Sequence, residues 1–127
     1  MPRDVIGLPP KEGNPRTIDV RFCGLPSSEP LRAYIVRRIQ SHLRRLGHFL
    51  GAVIVRLSDV NGPKGGIDKR CQVMLRGPGH RPVTIEELDV DAYAAVDIAV
   101  ERAARVADRR RARARATRRR SPGAAVA

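Results

Sequence analysis

Residues 29–46 read EPLRAYIVRRIQSHLRRL. Leu31, Ile35, Ile39, Leu43 and Leu46 recur at spacings of three and four, which collects them on one side of a helix. Ser28 stands where an N-cap accepts a backbone N–H, Pro30 is tolerated in a first turn, and Gly47 is a stop. The pattern predicts a helix over 29–46. Before it, TIDVRFC (17–23) alternates, with Ile18, Val20 and Phe22 on one face. After it, AVIVRLSDV (52–60) supplies a second strand. Strand, helix and strand in succession predict two parallel neighbours joined by a right-handed crossover.

Working toward the C-terminus, NGPKGG (61–66) is rich in turn formers and KRCQVMLR (69–76) alternates again. GPGH (77–80) makes a second tight turn, and RPVTIEEL (81–88) a fourth strand whose start is restricted by Pro82. Asp89 or Asp91 then caps a second helix that begins near Ala92. The expected order is β-α-β-β-β-α: an α+β two-layer sandwich, with a four-stranded mixed sheet and both helices on one face. Residues 1–15, rich in Pro, Gly and charge, read as a flexible leader. Residues 16–113 form the domain, and 114–127 are expected to be a disordered Arg-rich tail.

The chain has 127 residues and a net charge of +12. Its 42% apolar content supports a packed core, and with four aromatics (Phe22, Tyr34, Phe49, Tyr93) that core must be mostly aliphatic. The charge is concentrated. Between Arg102 and Arg120 stand ten arginines and one acid, Asp108, a net of +9. A GC-rich genome accounts for 22 arginines against 3 lysines, but not for their concentration at one end. Such a balance points to nucleic acid or an anionic membrane. No apolar run is long enough to cross a bilayer and no secretory h-region opens the chain, so a cytoplasmic protein is expected.

At about 100° per residue, Tyr93, Val96, Val100, Ala103 and Ala107 gather on one side of the second helix. Asp97, Glu101 and Asp108 form a narrow acidic stripe beside them. Arg102, Arg105, Arg109 and Arg113 fall within an arc of roughly 80° opposite the apolar side, a ladder ~16 Å long. Arg111 returns to the core side, so packing should end just before it, with the residues beyond frayed or disordered until a partner orders them. On the first helix, Arg37 and Arg44 share one azimuth, and Arg38 and Arg45 another about 100° away. Guanidinium groups suit phosphate because their planar fork grips two oxygens. These eight arginines are the candidate RNA-binding residues.

Tyr93 falls on the core side and is expected to be buried; for Tyr34 both placements stay open. Contacts with the backbone and shape of RNA are therefore expected over base reading. A double-stranded RNA-binding domain needs basic residues where its last helix begins, and EELDVDAY is acidic there. Cys23 and Cys71 form no CxxC motif, and His42, His48 and His80 form no His-x-x-x-His pair. Glu86, Glu87, Asp89 and Asp91 fit a strand end and a cap better than a metal site. No enzyme, cofactor, metal or small-molecule substrate is expected.

The strand order, the run DVDAYAAVDIAVERAAR (89–105) and the hairpin DVNGPKGGIDKRCQVMLRG (59–77) resemble the ribosome hibernation-promoting factors, also called ribosome-associated translation inhibitors and formerly sigma modulation proteins. The resemblance covers about residues 17–113. Its most specific part is Asp-x-Tyr-Ala-Ala-Val-Asp at 91–97, followed by basic residues at the spacing of Arg102, Arg105 and Arg109; on the first helix, Arg38 is the clearest match. It implies a protein that binds the small ribosomal subunit and its rRNA near the decoding centre, blocks mRNA and tRNA sterically, and protects idle ribosomes under stress. It also implies a short form, without the second domain that pairs ribosomes. Two alternatives remain from the residues themselves: a general RNA-binding protein, or a protein-interaction module that modulates a transcription factor through the open sheet face, where Arg21, Arg56, Arg70 and Arg76 fall.

Overall fold

The computed structural model describes residues 3–7, 17–61 and 68–120, with residues 3–7, His48 and 118–120 described as backbone only. Strand β1 is Arg3–Gly7, β2 Thr17–Cys23, β3 Ala52–Asp59, β4 Lys69–Arg76 and β5 Val83–Asp89; helix α1 is Glu29–Leu43 and α2 Ala92–Arg120. The strands lie in the order β1-β2-β3-β4-β5. Only β2 and β3 are parallel, joined through α1; the remaining neighbours are antiparallel.

The alternation read from the sequence sets the two faces of the sheet. Ile18, Val20 and Phe22 of β2, Val53, Val55 and Leu57 of β3, Cys71, Val73 and Leu75 of β4, and Val83 and Ile85 of β5 are buried together. Helix α1 covers them with Leu31, Ile35, Ile39 and Leu43. Fully burying such a side chain contributes about 1.5–3 kcal/mol. Helix α2 covers β4 and β5 with Ala95, Val96, Ala99, Val100, Ala103, Ala104 and Ala107. Five of those seven are alanines, so the α2 backbone lies close to the sheet and its position is set by short side chains.

The α+β sandwich with both helices on one side is present, and the structure refines it in four places. The sheet gains a fifth strand, β1, inside the segment read as a leader: Ile6 pairs with Ile18 and Val5 with Asp19. Residues 8–16 and the loop at 62–67 lie outside the described residues. Helix α1 stops at Leu43 and continues as a 3-10 turn over Arg44–Phe49, kinked at Gly47, which adopts φ 53°. Helix α2 runs to Arg120 instead of fraying after residue 113. Apart from Thr117 its last turns are Ala and Arg, both strong helix formers, and the first breaker after Ala92 is Pro122. Residues 121–127 of the expected tail lie outside the described residues.

The helix starts follow the predicted chemistry. Leu31 N donates to Ser28 Oγ (3.3 Å), and Tyr93 N donates to Asp91 Oδ1 (3.0 Å). The far end of the sheet is closed by the β4–β5 turn. The His80 ring stacks on Phe49 at 4.0 Å, and its Nε2 lies 2.8 Å from Phe49 O. Gly77 is required there, since a Cβ would fall 1.9 Å from Phe49 O.

Candidate nucleic-acid interface

In this order of elements α1 and α2 run side by side in the same direction, and one offset relates them. Tyr34 Oη donates to Asp97 Oδ1 at 2.5 Å, Arg38 Nη2 donates to Glu101 Oε1 at 3.5 Å, and Arg45 Nε donates to Asp108 Oδ2 at 3.1 Å. Each pair is separated by 63 residues. Arg38 Nε also lies 2.9 Å from Asp97 Oδ1, and His42 Nε2 4.0 Å from Glu101 Oε1. The acidic stripe of α2 therefore faces α1 and pairs with a basic stripe. The donation to Asp97, then burial, raises the Tyr34 phenol above its ordinary pKa.

Tyr93 meets Tyr34 edge-on, with ring centroids 5.0 Å apart at 67°. It is 38% exposed, against the expectation of burial. The reason is its place in the first turn, on the flank toward α1 and before the helix is covered on both sides. Tyr34 is half-buried in the seam.

The eight candidate arginines divide into two groups. Arg38 and Arg45 are held in the seam by Asp97, Glu101 and Asp108. Arg102 is paired with Glu87 on β5, and its Nη1 also reaches Glu86 O (3.4 Å). These three are partly neutralised. Arg37, Arg44, Arg105, Arg109 and Arg113 are exposed, and among the described residues none forms an ion pair. Arg37 and Arg44 stand opposite the buried side of α1; Arg105 and Arg109 stand opposite the buried side of α2, and Arg113 continues their row past Ala107, the last buried residue of α2 among those described. The result is two basic rails on the helical surface, separated by a seam whose charges are matched.

The pairing partners left a signal that the reading of separate helices did not use. Tyr34, Arg38 and Arg45 have the relative positions 0, 4 and 11, and so have Asp97, Glu101 and Asp108. Matching spacings of opposite character on two helices are what a parallel seam requires. Sequence reasoning also missed Arg110, and read Arg111, on the core side, only as the end of packing. Arg110 Nη1 donates to Arg81 O (2.8 Å) beside the β5 start, and Arg111 donates to Arg45 O in the 3-10 turn.

The other reactive residue types are accounted for structurally. Burial, with a lesser contribution from Glu87, pushes the Cys71 thiol up to about 12, which leaves no nucleophilic thiolate at neutral pH. Asp89 Oδ1 accepts from Asp91 N (3.0 Å), Asp91 caps α2, and Glu87 holds Arg102. Among the described residues no group of His, Cys, Asp or Glu could hold a metal ion, and no helix is long and apolar enough to cross a membrane.

The fold has known relatives. A ribosomal subunit interface protein from Coxiella burnetii superposes with a TM-score of 0.62 at 15% identity, covering 75% of this chain and 97% of that one. The N-terminal domain of Thermus thermophilus Protein Y superposes with a TM-score of 0.56 at 26% identity, covering 71% and 93%. No curated protein matches the chain in sequence. The model of one family, described as sigma 54 modulation protein / S30EA ribosomal protein, matches residues 18–115, which take in β2 from Ile18, α1, strands β3 to β5, α2 as far as Arg115 and all eight candidate arginines; the chain belongs to that family.

Proposed function

We propose that this chain is a ribosome-associated translation inhibitor. Its helical surface binds small-subunit rRNA near the decoding centre, excludes mRNA and tRNA by occupying their path, and stabilises idle ribosomes in the cytoplasm under stress. The observation that carries this reading is the set of five exposed arginines with no carboxylate partner among the described residues, set on two adjacent parallel helices of a family that includes ribosomal proteins. Phosphate would complete what the protein leaves unmatched on that surface, and the seam between the rails would keep their spacing fixed.

The test is co-sedimentation of purified protein with small ribosomal subunits. Arg105→Glu with Arg109→Glu is expected to abolish co-sedimentation with little change in melting temperature. If five phosphates are engaged, log affinity falls against log salt with a slope of about −3.5 to −4.5, at 0.7–0.9 per contact. A flat salt response, or full binding by the double variant, would refute the proposal.

A second reading has one observation in its favour. Arg56 is exposed on the opposite face of the sheet, abreast of Arg21 on β2, whose Nη2 donates to Asp19 Oδ2 at 2.8 Å. A protein partner, such as a transcription factor, would bind there. Loss of binding by Arg56→Glu, with binding retained by the α2 double variant, would select that reading.

A further inference from the structure

Up to Arg109, α2 is one-sided, with alanines and valines against the sheet and arginines facing away. Beyond Arg111 it changes character. Among the described residues, the last hydrogen bonds from α2 to other elements are those of Arg110 and Arg111. They reach in different directions, Arg110 to the start of β5 and Arg111 to the 3-10 turn after α1, and so brace the helix from two sides where it leaves the domain. The helix then continues through residues 112–120, about 13 Å at 1.5 Å per residue. That stretch reads ARARATRRR, with five arginines and no acid. Arg113 and Arg115 are both exposed and lie about 200° apart around the axis. No apolar side remains beyond the methyl groups of three alanines.

We propose that residues 112–120 form a preformed basic rod that enters a groove of folded RNA, with phosphates on both walls. A rail with arginine on one side suits a surface; a helix with arginine on opposite sides suits a cleft lined by phosphate on opposite sides. A membrane surface does not fit, because an interfacial helix needs an apolar face to bury. A disordered basic arm would make the same charges available but would have to be ordered on binding. Here the order exists beforehand and the braced root aims it. The inference deepens the RNA-binding reading above and rests on it, and the last five of these residues lie beyond the family match, which ends at residue 115.

The discriminating variant is Ala114→Pro, which keeps every arginine but removes a helical N–H and clashes with the carbonyl four residues earlier. It is compared with the full chain and with a chain ending at Ala112, for binding to small ribosomal subunits and to protein-free small-subunit rRNA over a range of salt. Circular dichroism follows helix content and melting. The expected result is that both variants melt with the full chain, lose helix signal, and bind both targets at least about five-fold more weakly, the truncated chain with a salt slope shallower by about 2 or more, at 0.7–0.9 per phosphate. Ala114→Pro binding as well as the full chain while the truncated chain weakens would show that charge suffices, and would overturn the rod. Equal binding by all three would place the segment outside the interface and overturn it too. A loss seen with subunits but not with rRNA would make a ribosomal protein the partner, against the proposal. Failure of the underlying reading is separate: it would appear as full binding by the Arg105→Glu, Arg109→Glu chain.

Discussion

Arg38 and Arg37 are neighbours in sequence with different fates. Arg38 lies between Asp97 and Glu101, while Arg37, about 100° away round the helix, has no carboxylate partner among the described residues. Removing Asp97 should therefore move stability and affinity in opposite directions. Asp97→Ala takes the acceptor from Tyr34 and one partner from Arg38, in a site that is about one-third exposed, so the loss is about 1 kcal/mol. It also leaves Arg38 with Glu101 alone and so nearer to serving phosphate, which should steepen the salt slope of subunit binding by at most about 0.7–0.9. Lower melting temperature with tighter low-salt binding is the expected pair of results; a loss of both would mean that the seam is part of the RNA contact. Tyr34 adds a pH signature. Because its folded pKa lies above the ordinary 10.0, its contribution is complete below that pH and is lost as pH rises through the folded value. Urea unfolding of the wild type should show an alkaline loss of stability, to which the raised Cys71 thiol and Lys69 also contribute, and Tyr34→Phe should show a smaller one.

At the scale of elements, the sequence was legible wherever one periodicity dominated. Thr17–Cys23 and Lys69–Arg76 are the predicted strands to the residue, and Ala92 starts α2 as its cap requires. Less legible were features that depend on a neighbour. An azimuth says which side a residue takes on its own helix, but not which helix lies beside it; Tyr93 and the eventual pairing of Arg38, Arg45 and Arg102 needed that second fact. Strand β1 was hidden because Pro and Gly around it outweigh five residues whose pairing is supplied by β2. The end of α2 was misjudged because charge density argues for disorder while Ala and Arg propensity argues for helix, and the latter decides here. Gly77 shows the same dependence on a neighbour. It reads as an ordinary turn glycine, yet its space is taken by the Phe49 carbonyl. Gly77→Ala should cost about 1–3 kcal/mol, or a fall in melting temperature of about 5–15 °C, with subunit binding below the transition unchanged. Weakened binding in the folded protein would mean that the turn after β4 sets the helical face as well as the sheet end.

For the molecule as a whole, the important quantity is the relation between the rails. Arg37 and Arg44 lie on α1; Arg105, Arg109 and Arg113 lie on α2; the matched 0-4-11 seam and a shared sheet hold the two helices together. If both rails meet one RNA body, each contributes its own phosphates and the platform couples them only through geometry. Neutral substitutions should then add. Arg37→Gln with Arg44→Gln should make the salt slope shallower by about 1.4–1.8, and the three α2 arginines changed to Gln by about 2.1–2.7, at 0.7–0.9 per contact. All five together should lose the sum of the two free-energy changes to within about 0.5 kcal/mol, as independent sites do. A total well below the sum would arise if removing one rail already released the other from the RNA, so that the protein binds as a single lever about α2. A total equal to the α2 loss alone would make α1 a structural partner whose arginines face solvent in the complex, and would confine the RNA contact to α2.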